Sequence, residues 1–222
     1  MRYSSEVRWI LHGSVPGEVV DWFDSRGPVT KEPPRTDYYV NLGGSPTASI
    51  KLRGDQLEFK AMCPPAPEPL KVGRVEGLRN QWVKWTCSHV SRQQLDDSAD
   101  RAGWLAVWKS RFTRHYRFDA GDPRAAVPAA DSITTAQGCF VELTSMVVAR
   151  IGTINDQPGE AFWEGAPQWW SLAFEAYGNR PQIADYLRHT AGTELYPPPP
   201  ARLDEEVSDA YPAWLASQSD NR

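Results

Sequence analysis

Cysteine is scarce in this chain. Only Cys63, Cys87 and Cys139 occur, far apart and without a CxxC pair, which suits packed thiols in a reducing compartment better than a disulfide framework or a set of metal ligands. No stretch reaches the roughly 18 apolar residues of a membrane span, and the opening MRYSSEVRWILHGSVPGEVV has no long apolar run of the signal-peptide kind. A soluble, cytoplasmic protein with no membrane partner is expected. Overall basicity is missing as well: the formal net charge is −4, which argues against a general nucleic-acid coat and against a duplex nucleic-acid partner, and makes any local cation cluster a specific feature. The glycines of GRVEG and GLRN lack the spacing of a phosphate loop or a dinucleotide fingerprint, and no GxSxG turn occurs. His12, His89 and His189 are scattered and build no metal motif, and no internal repeat is present.

In place of such motifs the chain has alternation. In SIKLRGDQLEFKAM, residues 49 to 62, Lys51, Arg53, Glu58 and Lys60 fall on one strand face and Ile50, Leu52, Leu57 and Phe59 on the other, with GDQ as the turn of a hairpin. The pattern recurs in YSSEVRWIL, where Ser4, Glu6 and Arg8 oppose Val7 and Trp9, and in GLRNQWVKWTC, where Trp82, Lys84 and Thr86 oppose Val83 and Trp85. It is longest in WLAVWKSRFTRHYRFD. There Lys109, Arg111, Thr113, His115 and Arg117 share a face opposite Trp108, Phe112, Tyr116 and Phe118, and Arg114 interrupts the second face. TDYYVNL, GCFVELTSMVV and QWWSLAFEAYG read as further strands by their aromatic and β-branched content, the last two placing Glu142 and Glu175 within apolar segments.

Two helices are expected. GSVPGEVVDWFDSRG offers Ser14 as N-cap, Pro16 in the first turn and Gly27 as a stop, and RPQIADYLRHTA follows a Gly-Asn pair. KEPPR is a Pro-rich stretch before TDYYVNL, CPPAPEPLKVG reads as a Pro-rich loop, and SRQQLDDSADRAG as a polar connector. Residues 1–196 form one domain on this reading. PPPP at 197 to 200 and the acidic remainder make residues 197–222 a Pro-rich linker and C-terminal tail.

The fold class that results is mainly β (α+β). One arrangement is an open antiparallel sheet whose polar face meets water. The other is an antiparallel, closed or nearly closed β-barrel or tunnel of about eight strands with flanking helices, apolar side out, so that Arg8, Lys51, Arg53, Lys60, Lys84 and Arg111 converge inside. Cations packed into a low-dielectric space repel one another unless carboxylates or a polyanionic ligand compensate them. A phosphate chain would suit, since Arg offers paired donors and Lys a point charge. Glu6, Glu58, Glu142 and Glu175 would offset the remainder or hold a divalent ion, carboxylate oxygens being the preferred ligands of Mg²⁺ and Mn²⁺. His115 reads as a satisfied strand histidine before a general acid or base. Most tryptophans read as core under the helices, with Trp82 set apart as a ring that shares a face with Lys84 and packs beside a cation or stacks on a base.

The order of these segments resembles the CYTH or triphosphate tunnel family, which includes thiamine triphosphatases, class IV adenylyl cyclases and inorganic triphosphatases. SSEVR is similar to the family's opening ExExK, with Ser4 and Glu6 at its two glutamates and Arg8 at its lysine. The IKLR and LEFK pair is similar to the family's basic hairpin and maps Lys51, Arg53 and Lys60 onto phosphate-contacting positions; WKSR adds Lys109 and Arg111. DSITTAQGCFVELT is similar to the segment ending in the second ExE, with Glu142 and Thr144 at its two positions. The resemblance covers roughly residues 3 to 146.

The resemblance implies a basic tunnel for a small phosphorylated ligand such as a nucleotide, a thiamine-triphosphate-like compound or polyphosphate. Its phosphate-binding set is Arg8, Lys51, Arg53, Lys60, Lys84, Lys109 and Arg111. Glu6 and Glu142 would be catalytic, and Glu6, Glu142 and Glu175 would hold Mg²⁺ or Mn²⁺. Ser4 and Thr144 depart from the pattern, because a hydroxyl donates a hydrogen bond but brings no negative charge. Two functions follow. One is a metal-dependent hydrolase of a phosphoanhydride; the other is a non-catalytic nucleotide- or polyphosphate-binding module that has lost metal-binding carboxylates.

Overall fold

Strands with one charged and one apolar face have two ways to bury the apolar side, and this chain closes on itself. The computed structural model describes residues 1–42, 45–64, 67–91, 95, 103–119, 122–128, 137–151, 163 and 165–220. Among the described residues the strands are β1 (Arg2–His12), β2 (Thr30–Val40), β3 (Ala48–Arg53), β4 (Gln56–Met62), β5 (Glu68–Val72), β6 (Val75–Cys87), β7 (Trp104–Asp119), β8 (Asp122–Pro128), β9 (Gly138–Ile151) and β10 (Gln168–Tyr177). The helices are α1 (Gly17–Asp24), α2 (Ile183–Glu194) and α3 (Tyr211–Asp220), with a 3-10 turn at Glu205–Val207.

Eight strands form a closed antiparallel barrel in the order β1-β10-β9-β7-β2-β3-β4-β6, with β6 returning to β1 through pairs such as Glu6 with Asn80. Closure removes the open sheet edges that would otherwise template aggregation. Two strands lie outside the ring. β5 pairs Val75 to Arg79 of β6, on the edge that β4 takes from Trp82 to Cys87, and β8 pairs the end of β7 beyond the part that β2 covers.

Side-chain alternation sorts the residues. Val7, Trp9, Val141, Leu143, Leu172 and Phe174 point outward and are buried under Val19 and Phe23 of α1 and Tyr186, Leu187 and Ala191 of α2. On the opposite flank Tyr38, Leu52, Leu57, Trp104 and Ala106 form a second outer cluster, with Ile50 and Phe59 packed against it. Inward-facing residues at one end are also apolar: Ile10, Tyr39, Leu105, Val107, Met146 and Val148 pack against Tyr211, Trp214 and Leu215 of α3. That helix stops one end of the barrel. The β3–β4 turn, the start of β1 and the ends of β6 and β10 lie at the other, as the antiparallel registers require.

Several local expectations are corrected. Ser14 does not cap α1; Pro16 occupies the N-cap and the Ser14 hydroxyl donates to Gln168 Oε1 instead. The Pro-rich KEPPR is strand. It lies within β2, and the register shifts between Glu32 and Arg35 because Pro33 and Pro34 have no N–H for the ladder. Within CPPAPEPLKVG the residues Glu68–Val72 form β5, where an edge position accommodates Pro69. The second expected helix begins later, at Ile183. Trp85 is 41% exposed rather than core. Most of the connector 91–103 lies outside the described residues. The segment after 196, set apart on composition, contributes Leu203, Ala210, Tyr211, Trp214 and Leu215 to the buried interior, and Ser208 donates to the carbonyl of Arg8.

Candidate functional site

The charged faces of seven strands meet in one cavity. Arg8 and Glu6 reach it from β1, Lys51 and Arg53 from β3, Glu58 and Lys60 from β4, Lys84 from β6, Lys109 and Arg111 from β7, Glu142 and Thr144 from β9, and Glu175 from β10; Tyr39, Ser49, Met146 and Tyr211 complete the wall. All seven cations and all three carboxylates singled out from the sequence are therefore brought together. About 130 Å³ of the space is open to the centre of a water molecule, room for roughly ten waters at ~10–15 Å³ each. The side chain of Arg53 is 41% exposed and that of Glu58 25%, against 7% for Arg8 and 4% for Lys109. The cavity thus opens beside the β3–β4 turn and deepens toward α3.

Its walls are ion-paired throughout. Arg8 donates from Nε to Glu6 Oε1 at 2.8 Å, from Nη1 to Ser171 Oγ at 3.0 Å and from Nη2 to Glu142 Oε2 at 3.3 Å. Lys60 takes the second oxygen of Glu6, Arg111 Nη1 takes Glu142 Oε1 at 2.8 Å, Lys84 takes Glu175, and Lys51 takes Glu58 at 2.7 Å. Asp37 lies behind the wall, fully buried, and receives Arg53 Nε at 2.8 Å and Lys109 Nζ at 3.1 Å. Seven cations face the four lining carboxylates and Asp37. The cations are in excess by two formal charges.

Proton affinities reflect this crowding. Burial alone would raise the Glu6 carboxyl, but the charges of Lys60 and Arg8 outweigh it and hold it down at about 2. Burial is likewise outweighed at Glu175 by Lys84 and Lys60, and at Asp37 by Lys109 and Arg53, so both sit well below the usual carboxylate range. Among the lysines burial has the upper hand twice. It pushes Lys51 down to about 8 despite Glu58, and Lys109 well below the usual lysine range despite Asp37. At Lys84 burial is outweighed by Glu175 and Glu58, and the ammonium is held above its usual range.

Two hydroxyls stand apart from the network. Ser4 and Thr144 are 1% and 0% exposed, and neither Ser4 Oγ nor Thr144 Oγ1 has a hydrogen-bond partner. Arg111 Nε is also buried without one. Buried polar atoms are normally satisfied; of these three, Thr144 Oγ1 and Arg111 Nε belong to residues that line the cavity.

The carboxylates expected to hold Mg²⁺ or Mn²⁺ come from adjacent strands, with Glu6 directly opposite Glu175 and Glu142 on the far side of β10. As arranged they do not fit a divalent ion. Both oxygens of Glu6 and of Glu142, and one of Glu175, already accept from cations, and among the described residues no set of three or more His, Cys, Asp or Glu is placed to hold a metal.

Other candidates resolve structurally. His115 bonds Tyr177 through Nε2 at 2.7 Å and stacks on Phe140, outside the cavity wall. Trp82 is fully buried with Lys60 Nζ 4.5 Å from its ring centre, a cation packed on an aromatic face. Sequence reasoning missed Asp37, Tyr39 and Tyr211. The alternation of Asp37 with Tyr39 in TDYYVNL was an available signal for the first two; nothing local marks Tyr211, which arrives from the far end of the chain to within 4.3 Å of Lys109 Nζ.

Fold and site together define a closed antiparallel β-barrel with a charged interior, an architecture compatible with a tunnel-like binding fold. Comparison with models of known protein families and with curated protein sequences gave no match.

Proposed function

We propose that the barrel binds a small phosphorylated polyanion, triphosphate-like in charge, within its cationic cavity. The observation that carries this reading is the convergence of seven cations on one enclosed space with two formal positive charges uncompensated. In a low-dielectric site such an excess favours an anion strongly. The likeness of the basic hairpin and of the SSEVR and WKSR segments to the triphosphate tunnel family supports the same ligand class. In the ligand-free state the carboxylates act as internal counter-ions, holding the arginines and lysines extended into the cavity. An arriving phosphate chain exchanges with them, oxygen for oxygen, so the donors need no rearrangement to meet it.

Hydrolysis of a phosphoanhydride is a second reading, favoured by one observation: Glu6, Glu142 and Glu175 lie on three adjacent strands of one wall. Its signature is release of orthophosphate.

Thermal unfolding with added tripolyphosphate tests both. A ligand that binds only the folded protein raises the melting temperature in step with its concentration. The wild-type chain should show this rise, and the Lys51→Ala/Arg53→Ala double variant should lose it while its circular dichroism stays that of the wild type. A rise retained by a folded double variant would show that the anion binds elsewhere. Orthophosphate assayed in the same samples, with and without Mg²⁺ or Mn²⁺, separates turnover from capture.

A further inference from the structure

Within the ion-paired wall, Thr144 and Arg111 are direct cross-strand partners. Facing side chains on neighbouring antiparallel strands stand about 5 Å apart at Cβ. Both carry a donor with nothing to bond: Thr144 Oγ1 and Arg111 Nε. Thr144 is fully buried at the edge of the cavity it lines, so a group seated beside it can supply the partner its hydroxyl lacks. Every other cation of the wall has its charge committed to a carboxylate, and Arg111 itself commits only Nη1, to Glu142.

Both donor atoms lie just beneath the cavity surface, so an oxyanion that reaches them after a local shift of the wall finds neither committed to an ion pair. Next along the same row stands Ser171, opposite Thr144 on β10, whose hydroxyl already accepts from Arg8. Position 144 is also where the resemblance to the triphosphate tunnel family implies a carboxylate. A carboxylate there would repel a phosphoryl oxygen and require a cation between them, whereas a hydroxyl donates to it directly.

Resting on the proposed function, we propose that Thr144 and Arg111 form a metal-independent oxyanion anchor. A phosphoryl group of the ligand accepts hydrogen bonds from Thr144 Oγ1 and Arg111 Nε, and the remaining negative charge is met by the neighbouring cations Arg8 and Lys109. Thr144 is a binding residue on this account, and what distinguishes this chain from a metal-loaded tunnel is that its wall touches the anion itself.

The test is calorimetric titration of inorganic tripolyphosphate into the full chain in buffer containing EDTA, for wild type, Thr144→Val and Thr144→Ser. Valine keeps the shape and removes the donor; serine keeps the donor. The anchor predicts that wild type binds in EDTA, that Thr144→Val binds about tenfold more weakly, as expected for one lost hydrogen bond to a charged group, and that Thr144→Ser recovers most of the affinity. Thr144→Val should melt no lower than wild type, since it deletes an unsatisfied buried hydroxyl. Equal affinity of the valine variant and wild type would overturn the anchor while leaving the cavity reading in place. Wild-type binding that vanishes in EDTA and returns with Mg²⁺ would overturn its metal independence. Absence of wild-type binding with or without metal would remove the cavity reading itself.

Discussion

Lys51 shows how the cavity holds its charge. Its ammonium is paired with Glu58 at 2.7 Å and faces Arg53 and Asp37 as well; burial first, and Arg53 after it, press its proton off, while Glu58 and Asp37 hold it on, and the balance lies at about 8. A bound anion adds to the groups that hold the proton on. The sign follows directly: ligand binding favours protonated Lys51, so affinity is fully present below pH 8 and falls as pH rises through that value, by up to about tenfold per unit. Titrating tripolyphosphate at pH 7 and pH 9, in wild type and in Lys51→Arg, measures this. Wild type should weaken between the two pH values and the arginine variant, which stays charged, should weaken less; equal weakening would assign the effect to other groups. Glu6, held at about 2, contributes stability that is complete above its unfolded value and is lost as pH falls toward 2.

Elements are where sequence and structure compare most closely. The inner and outer faces of β3 and β4 were legible because hairpin alternation is a local property, and the charged faces of β1, β6 and β7 followed from the same period. What was not legible depends on distance along the chain. Asp37 belongs to a strand whose aromatic content dominates its reading, and its role as counter-ion to Arg53 and Lys109 exists only once β2 sits between β3 and β7. Pro33, Pro34 and Pro69 argue for loops on their own, and strand context overrides them at a bulge and on an edge.

Arg114 is a further case. In sequence it is a break in an apolar face. In the structure it is buried against the helices, donating from Nη1 to Glu194 Oε2 of α2 at 2.8 Å and from Nη2 to the carbonyl of Phe23 in α1, while the Tyr116 hydroxyl takes the other oxygen of Glu194. This one side chain ties β7 to both outer helices. Removing it leaves a buried carboxylate without its cation, so Arg114→Ala should cost about 3 kcal/mol in denaturant unfolding, without weakening tripolyphosphate binding at temperatures where the variant is folded. A loss under about 1 kcal/mol would mean that Tyr116 alone suffices for Glu194.

At the scale of the whole molecule the charge distribution is inverted relative to the net value. The chain carries a formal −4 and the cavity an excess of two positive charges, which leaves −6 on the remainder. Size then selects, because only an anion small enough to pass the β3–β4 turn reaches the cations. The stopped end supports the same selection, because Tyr211, Trp214 and Leu215 of α3 pack into the barrel's apolar layer and leave the cavity with a single described approach. Among the described residues no helix is long and apolar enough to cross a membrane.

The central claim is that this enclosed excess of positive charge is a binding site. Calorimetric titration of tripolyphosphate into the wild-type chain at low ionic strength tests it most directly. The account predicts saturable binding of one ligand per chain that weakens as salt is added. Absence of saturable heat at low salt would contradict it, and would mean that the carboxylates already satisfy the cations they face.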